Sequence, residues 1–155
     1  MNAAPNSRFG WFAVFTLAWT VAWCADLIEA WRHAPYDRTG FAAALLWLSA
    51  VALLPRRGQP AQLWLIAAWL GSLLGVMGAL HVAQHLAVVC AVCAWLPGHL
   101  PRLLAAFSAL AWMPAFGWLL AACPSSAVNA ARLVVASVAL GAALIPRFRP
   151  VPVHP

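Results

Sequence analysis

The chain has 155 residues, of which 65% are hydrophobic and only 8% charged, with a mean hydropathy of +0.86. That leaves too little polar surface to cover a water-soluble globule, and it predicts an all-α, polytopic membrane helix bundle whose first partner is the lipid bilayer. The nine basic residues, all arginine, outnumber three acids for a net charge of +6, yet they stand singly or in pairs between apolar runs, so no nucleic-acid surface is read from them.

In chain order, a first span is predicted over 9–30, apolar until Asp26 and Glu29 in its last turns. It is too long for the apolar core of a cleaved leader, and bulky Trp23 beside Cys24 spoils a small-residue cleavage pattern, so the span is expected to stay as an anchor. The loop WRHAPYDRTG follows, then a second span over 41–54 closed by Pro55-Arg56-Arg57-Gly58. The next apolar run, residues 61 to 96, is 36 residues long. One crossing needs only about 20. The run must therefore fold back, and Gly78-Ala79-Leu80-His81 is the predicted turn, with glycine permitting the reversal and His81 at the interface. This gives spans over 61–79 and 82–97. Pro97 to Arg102 ends the fourth span, a fifth covers 103–122 with a kink at Pro114, and Cys123-Pro124-Ser125-Ser126 makes a turn with a helix-capping serine. A sixth span over 127–145 stops at Pro146. Residues 1–150 thus form a single transmembrane helical domain, followed by a disordered tail over 151–155.

Six spans gather Arg8, Arg56, Arg57, Arg102, Arg147 and Arg149 on one side, against Arg32 and Arg38 in the opposite loops. The positive-inside rule then makes both termini cytoplasmic. All three acids fall at the outer end, together with His81, the Cys123 turn and Arg132. Ionisable groups at membrane depth are functional candidates, although Asp26 and Glu29 can equally be solvated or paired with Arg32. Arg132, on a helix of small and aliphatic residues, either snorkels outward or has a buried partner.

Cys90-Ala91-Val92-Cys93 has the spacing of a redox dithiol or a metal half-site, but nothing turn-like separates the two thiols and no second such pair exists; passive packing is the reading preferred, and for Cys24 also. Cys123, in an outer turn, is either an exposed reactive thiol or a disulfide partner for Cys24. His81 and His85 share a helix face, but two ligands do not make a site, so His81 is read as an interfacial hydrogen-bonding residue and His85 as packing, with no metal and no cofactor. Gly71, Gly75 and Gly78 give a small-residue groove for close helix contact.

The stretch Trp31-Arg-His-Ala-Pro35-Tyr36-Asp-Arg-Thr-Gly40, an apolar span, and then Pro55-Arg56-Arg57 resembles the opening of exosortase/archaeosortase proteins, and Asn129-x-x-Arg132 is similar to the asparagine-arginine helix of that family. The resemblance implies a multi-pass protein of the bacterial inner membrane, engaged in protein sorting at the outer face through a cysteine, an arginine and a histidine, with a membrane-anchored protein as substrate. Here no cysteine is followed by the Ser-Gly of the family and no histidine follows Arg132 within a span, as in a shortened relative lacking a full catalytic set. The arrangement left to test is Cys123 as nucleophile, His81 as its base and Arg132 as oxyanion stabiliser or carboxylate binder. Two other classes stay open: a non-catalytic membrane subunit or scaffold with a partner membrane protein, and a quinone-linked thiol oxidoreductase similar to the vitamin K epoxide reductase family.

Overall fold

The computed structural model describes residues 7–145, with side chains from Gly10 onward. The 151–155 tail, the stop at Pro146 to Pro150 and the side chain of Arg8 lie outside the described residues. Those described form eight helices and no strand: α1 (Ser7–Ala22), α2 (Asp26–His33), α3 (Gly40–Leu53), α4 (Gln62–Met77), α5 (His81–Cys93), α6 (His99–Ala109), α7 (Pro114–Leu119) and α8 (Ser125–Ala143).

Two of the six predicted spans are broken. The first divides at Trp23 to Ala25, where α1 and α2 meet at a bend of 42°. Three-residue backbone bonds from Cys24 to Val21 and from Leu27 to Cys24 tighten the chain there, and the carboxylates of Asp26 and Glu29 open the new helix, where its dipole favours negative charge. The fifth divides at 110–113, because Pro114 does not kink a continuous helix but begins α7 as its first residue. At the start of α8 Ser125 is the first helical residue rather than the cap, and no side chain caps that helix.

The 36-residue run does fold back, into the tightly packed pair α4 and α5. The turn works differently from the expectation. Leu80 N–H reaches Gly75 O at 3.0 Å, and the left-handed residue is Ala79 (φ 51°), so a non-glycine occupies the position of a helix C-terminal cap that glycine normally fills. Gly78 is needed for space, since a Cβ there would lie 2.8 Å from Leu74 O. Gly75 and Gly71 lie under α5: a Cβ on Gly75 would meet Gln84 Cγ at 2.3 Å, and one on Gly71 would meet Ala83 O at 3.2 Å.

α1 lies against α4 and α5, α3 pairs with α8, and α6 fills the space between α3, α5 and α8. Hydrogen bonds show which loops share an end. The 34–39 loop, the start of α5 and the start of α8 meet at what we call the acid end; the 54–61 loop meets the C-terminus of α5 at the arginine end, where Arg57 N donates to Trp95 O and Ala61 N to Ala94 O, both at 2.8 Å. Arg102 Nε caps α5 there through Cys93 O (3.2 Å) and Leu96 O (3.0 Å).

Small residues are frequent in the interior, and many large apolar side chains lie on the surface. The buried interior is rich in alanine, including Ala43, Ala68, Ala87, Ala105, Ala136 and Ala139, whereas Trp11, Phe41, Leu63, Met77, Phe107 and Val138 are exposed. Among the described residues α8 alone, at 19 residues, is long and apolar enough to cross a membrane, and α1 with α2 adds a second if the bent pair is one span; α3, α4 and α5 are apolar but shorter.

Gly75→Val should destabilise the α4/α5 pair by about 1–3 kcal/mol through overpacking. Ala79→Gly should act with opposite sign by relieving the left-handed alanine. Thermal unfolding of the two purified variants reads both; equal midpoints would refute this account of the hairpin.

Candidate functional site

The acid end is held together by α8. Asn129 sits on its second turn and bonds both ends of the 34–39 loop: Nδ2 donates to Pro35 O (2.8 Å), while Oδ1 accepts from Thr39 Oγ1 (2.8 Å) and Thr39 N (3.2 Å). Three residues on, and therefore on the same face, Arg132 points into the protein and is fully buried. Its Nη2 pairs with Asp37 Oδ1. Its Nη1 donates to Ala111 O (2.8 Å) and Met113 O (3.1 Å), two carbonyls at the break before α7. The carbonyl between them, Trp112 O, accepts from Trp31 Nε1 at 3.1 Å. The guanidinium also lies 5.3 Å from the centre of the Phe116 ring.

Two glycines make this packing possible. A Cβ on Gly117 would come within 3.1 Å of Tyr36 Cβ and 3.2 Å of Asp37 Oδ1, and one on Gly40 would overlap the Trp31 indole at 2.2 Å. Burial pushes the Asp37 carboxyl above its ordinary value, and the charge and hydrogen bond of Arg132 oppose that push.

Beside the pair is a second polar group. Asp26 Oδ2 stands 3.3 Å from His81 Nδ1 and 3.2 Å from His85 Nε2, one carboxylate between two imidazoles. His81 is exposed, whereas His85 is buried edge-on to Trp112, with ring centres 6.0 Å apart. When His85 Nε2 carries the proton toward Asp26, Nδ1 is an acceptor; that atom is buried with no partner among the described residues. A cavity of about 340 Å³ joins the two groups, lined by Asp26, Glu29, Asp37, His81, His85 and Trp118. It thus takes in every carboxylate side chain of the sequence.

The structure does not assemble Cys123, His81 and Arg132. Cys123 is exposed, its thiol has no hydrogen-bond partner among the described residues, and it does not line the cavity. His81 is engaged by Asp26, and Arg132 is sealed from any peptide carboxylate by its own partners. Asp26 pairs with histidines rather than Arg32, and His85 is a hydrogen-bonding residue rather than packing. Sequence reasoning missed Asp37 as the partner of Arg132, although a buried arginine in a chain with three acids restricts the choice severely.

The other thiols are free and enclosed. Cys24 donates to Thr20 O at 3.3 Å, Cys93 Sγ lies 3.8 Å from Arg102 O, and Cys90 is half-buried; no disulfide links Cys24 to Cys123. Among the described residues no group of three or more potential ligands is placed to hold a metal ion. Comparison with models of known protein families, with characterised proteins and with solved structures finds no match to this chain.

Removing one partner of a buried pair strands the other. Arg132→Met or Asp37→Asn alone should each cost about 3–5 kcal/mol, whereas Arg132→Met combined with Asp37→Leu should cost less than the sum of the single changes. A double-mutant cycle by chemical denaturation measures this; additivity would mean that the pair is not coupled.

Proposed function

We propose that this chain is an exosortase-like, multi-pass protein of the bacterial inner membrane, with both termini cytoplasmic and its acid end outward, which receives a segment of a membrane-anchored or partner membrane protein without thiol catalysis of its own. The observation that carries the family reading is the interlock of the two stretches on which the resemblance rests. Trp31 packs on Gly40, Pro35 and Thr39 bond to Asn129, and the intervening Asp37 pairs with Arg132. Two motifs about ninety residues apart make one unit.

Six membrane crossings are supported by the alternation of loops between the two ends and by the alanine-rich interior beneath a surface of large apolar side chains. The bent pair α1 with α2 fits this reading where the two helices act as one pass. In such a frame α2, which carries Asp26, Glu29, Arg32 and His33, lies at the outer interface.

A binding role is favoured over cysteine transfer because a thiol nucleophile needs a base or a positive neighbour, and Cys123 has neither within hydrogen-bond reach. The thiol-oxidoreductase reading needs an accessible dithiol, and Cys93 is fully buried. A second reading keeps an enzyme: Asp26 between His81 and His85 is a proton-transfer group at the mouth of a cavity, suited to general acid–base chemistry.

In intact cells carrying single-cysteine variants, a membrane-impermeant maleimide should label Cys123 and spare Cys24, Cys90 and Cys93. In a complementation assay Cys123→Ser should retain function and Arg132→Ala should lose it. Labelling of Cys93 from outside would invert the topology, and loss of function in Cys123→Ser would restore Cys123 as a nucleophile.

A further inference from the structure

At the arginine end, opposite the site just described, a second cavity of about 380 Å³ opens between α1, α3 and the end of α5. Its walls are hydrocarbon, from Val14, Leu17, Val51 and Leu96, and its rim carries Trp95, Arg56 and Arg57. The rim is held in place: Pro55 follows α3, and Arg57 N donates to Trp95 O at 2.8 Å, so the loop lies across the end of α5.

Both arginines are exposed, and neither side chain has a hydrogen bond or ion pair among the described residues. No acid is available to them, since Asp26, Glu29 and Asp37 all line the other cavity. Positive charge is concentrated further by Arg102, whose Nε bonds Cys93 O and Leu96 O at the end of α5. Cations gathered without counter-charge at the mouth of an apolar recess match an anionic amphiphile, because a small inorganic anion would leave the hydrocarbon walls unused.

We propose that the cavity between α1, α3 and α5 binds one anionic phospholipid, with its phosphate between Arg56 and Arg57 and an acyl chain against Val14, Leu17 and Val51. This rests on the membrane reading above, in which the arginine end faces the cytoplasmic leaflet. The size fits a ligand of small-molecule dimensions.

The test reconstitutes the full chain in nanodiscs of phosphatidylcholine with a minor fraction of phosphatidylglycerol, and counts lipid retained on release by native mass spectrometry. Wild type should retain one phosphatidylglycerol in preference to phosphatidylcholine. Arg56→Gln with Arg57→Gln should lower that preference roughly 10-fold or more, as expected for two charges removed beside an anionic headgroup. Arg38→Gln, at the acid end, should leave it unchanged. Val14→Trp, which fills the recess with both arginines intact, should also abolish retention, whereas retention unaffected by Val14→Trp would reduce the effect to surface charge and overturn the site. Displacement of the lipid by millimolar inorganic phosphate would identify a free-phosphate site and overturn the lipid. A wild type that enters nanodiscs but shows no preference overturns this proposal alone, and a wild type that stays soluble without lipid overturns the membrane reading with it.

Discussion

The acid end depends on one buried guanidinium. A charge with no access to water costs several kcal/mol unless opposite charge and hydrogen bonds replace its hydration, and Arg132 receives both from parts of the chain distant in sequence. Asp37 comes from the loop before α3, and the two carbonyls come from the break between α6 and α7. Each contributor gains from the arrangement. The break leaves Ala111 O and Trp112 O to side-chain donors, and Arg132 and Trp31 bond three carbonyls in succession, of which Met113 O also accepts from Phe116 N at the start of α7. A continuous helix through 110–113 would leave Arg132 with Asp37 alone. The pair thereby ties the loop before α3 to α8 and to the break before α7.

The same interaction explains what was legible in the sequence. Apolar runs marked the helix-rich regions, and Pro55-Arg56-Arg57 marked the end of α3, because run length and helix breakers are local properties. The two broken spans were not legible, for a common reason. Asp26 reads equally as the last turn of one helix or the first residue of another, and Pro114 equally as a kink or a start, and only tertiary partners decide. The unusual residues were found, but their pairings were not. Arg132, His81 and the Trp31 to Gly40 loop stood out in an apolar chain, while the assignment of Asp37 to Arg132 and of Asp26 to the histidines depends on folding across 95 and 59 residues of separation.

Packing follows from the same economy of polar groups. With few hydrogen-bonding side chains available, helices associate by close backbone approach, and that requires small residues at the contacts. Gly75 lies against α5 where any side chain would collide and Gly71 where one would be tight, and the alanine-rich interior continues this pattern through α3, α6 and α8. The few polar contacts within the bundle supplement it: Trp19 donates to Ser72, Trp69 to Thr16, and Trp47 to Ala105 O. Indole nitrogens make all three, so the bulkiest side chains bridge helices that small residues bring together.

The arrangement of charge separates two chemistries at the two ends of α3 and α5. Every acid in the sequence lies at one end, where Asp37 is neutralised by Arg132 and Asp26 sits between two imidazoles, leaving Glu29 as the carboxylate without a charged partner among the described residues. At the other end Arg56, Arg57 and Arg102 have no acid at all. The acid end is thus internally compensated and can hold polar groups in fixed geometry, as a recognition or proton-transfer site needs. The arginine end is uncompensated and must find its counter-charge outside the chain. Under the proposed membrane reading, the same imbalance would orient the protein and select what the cavity at the arginine end holds, since both follow from where the arginines lack partners.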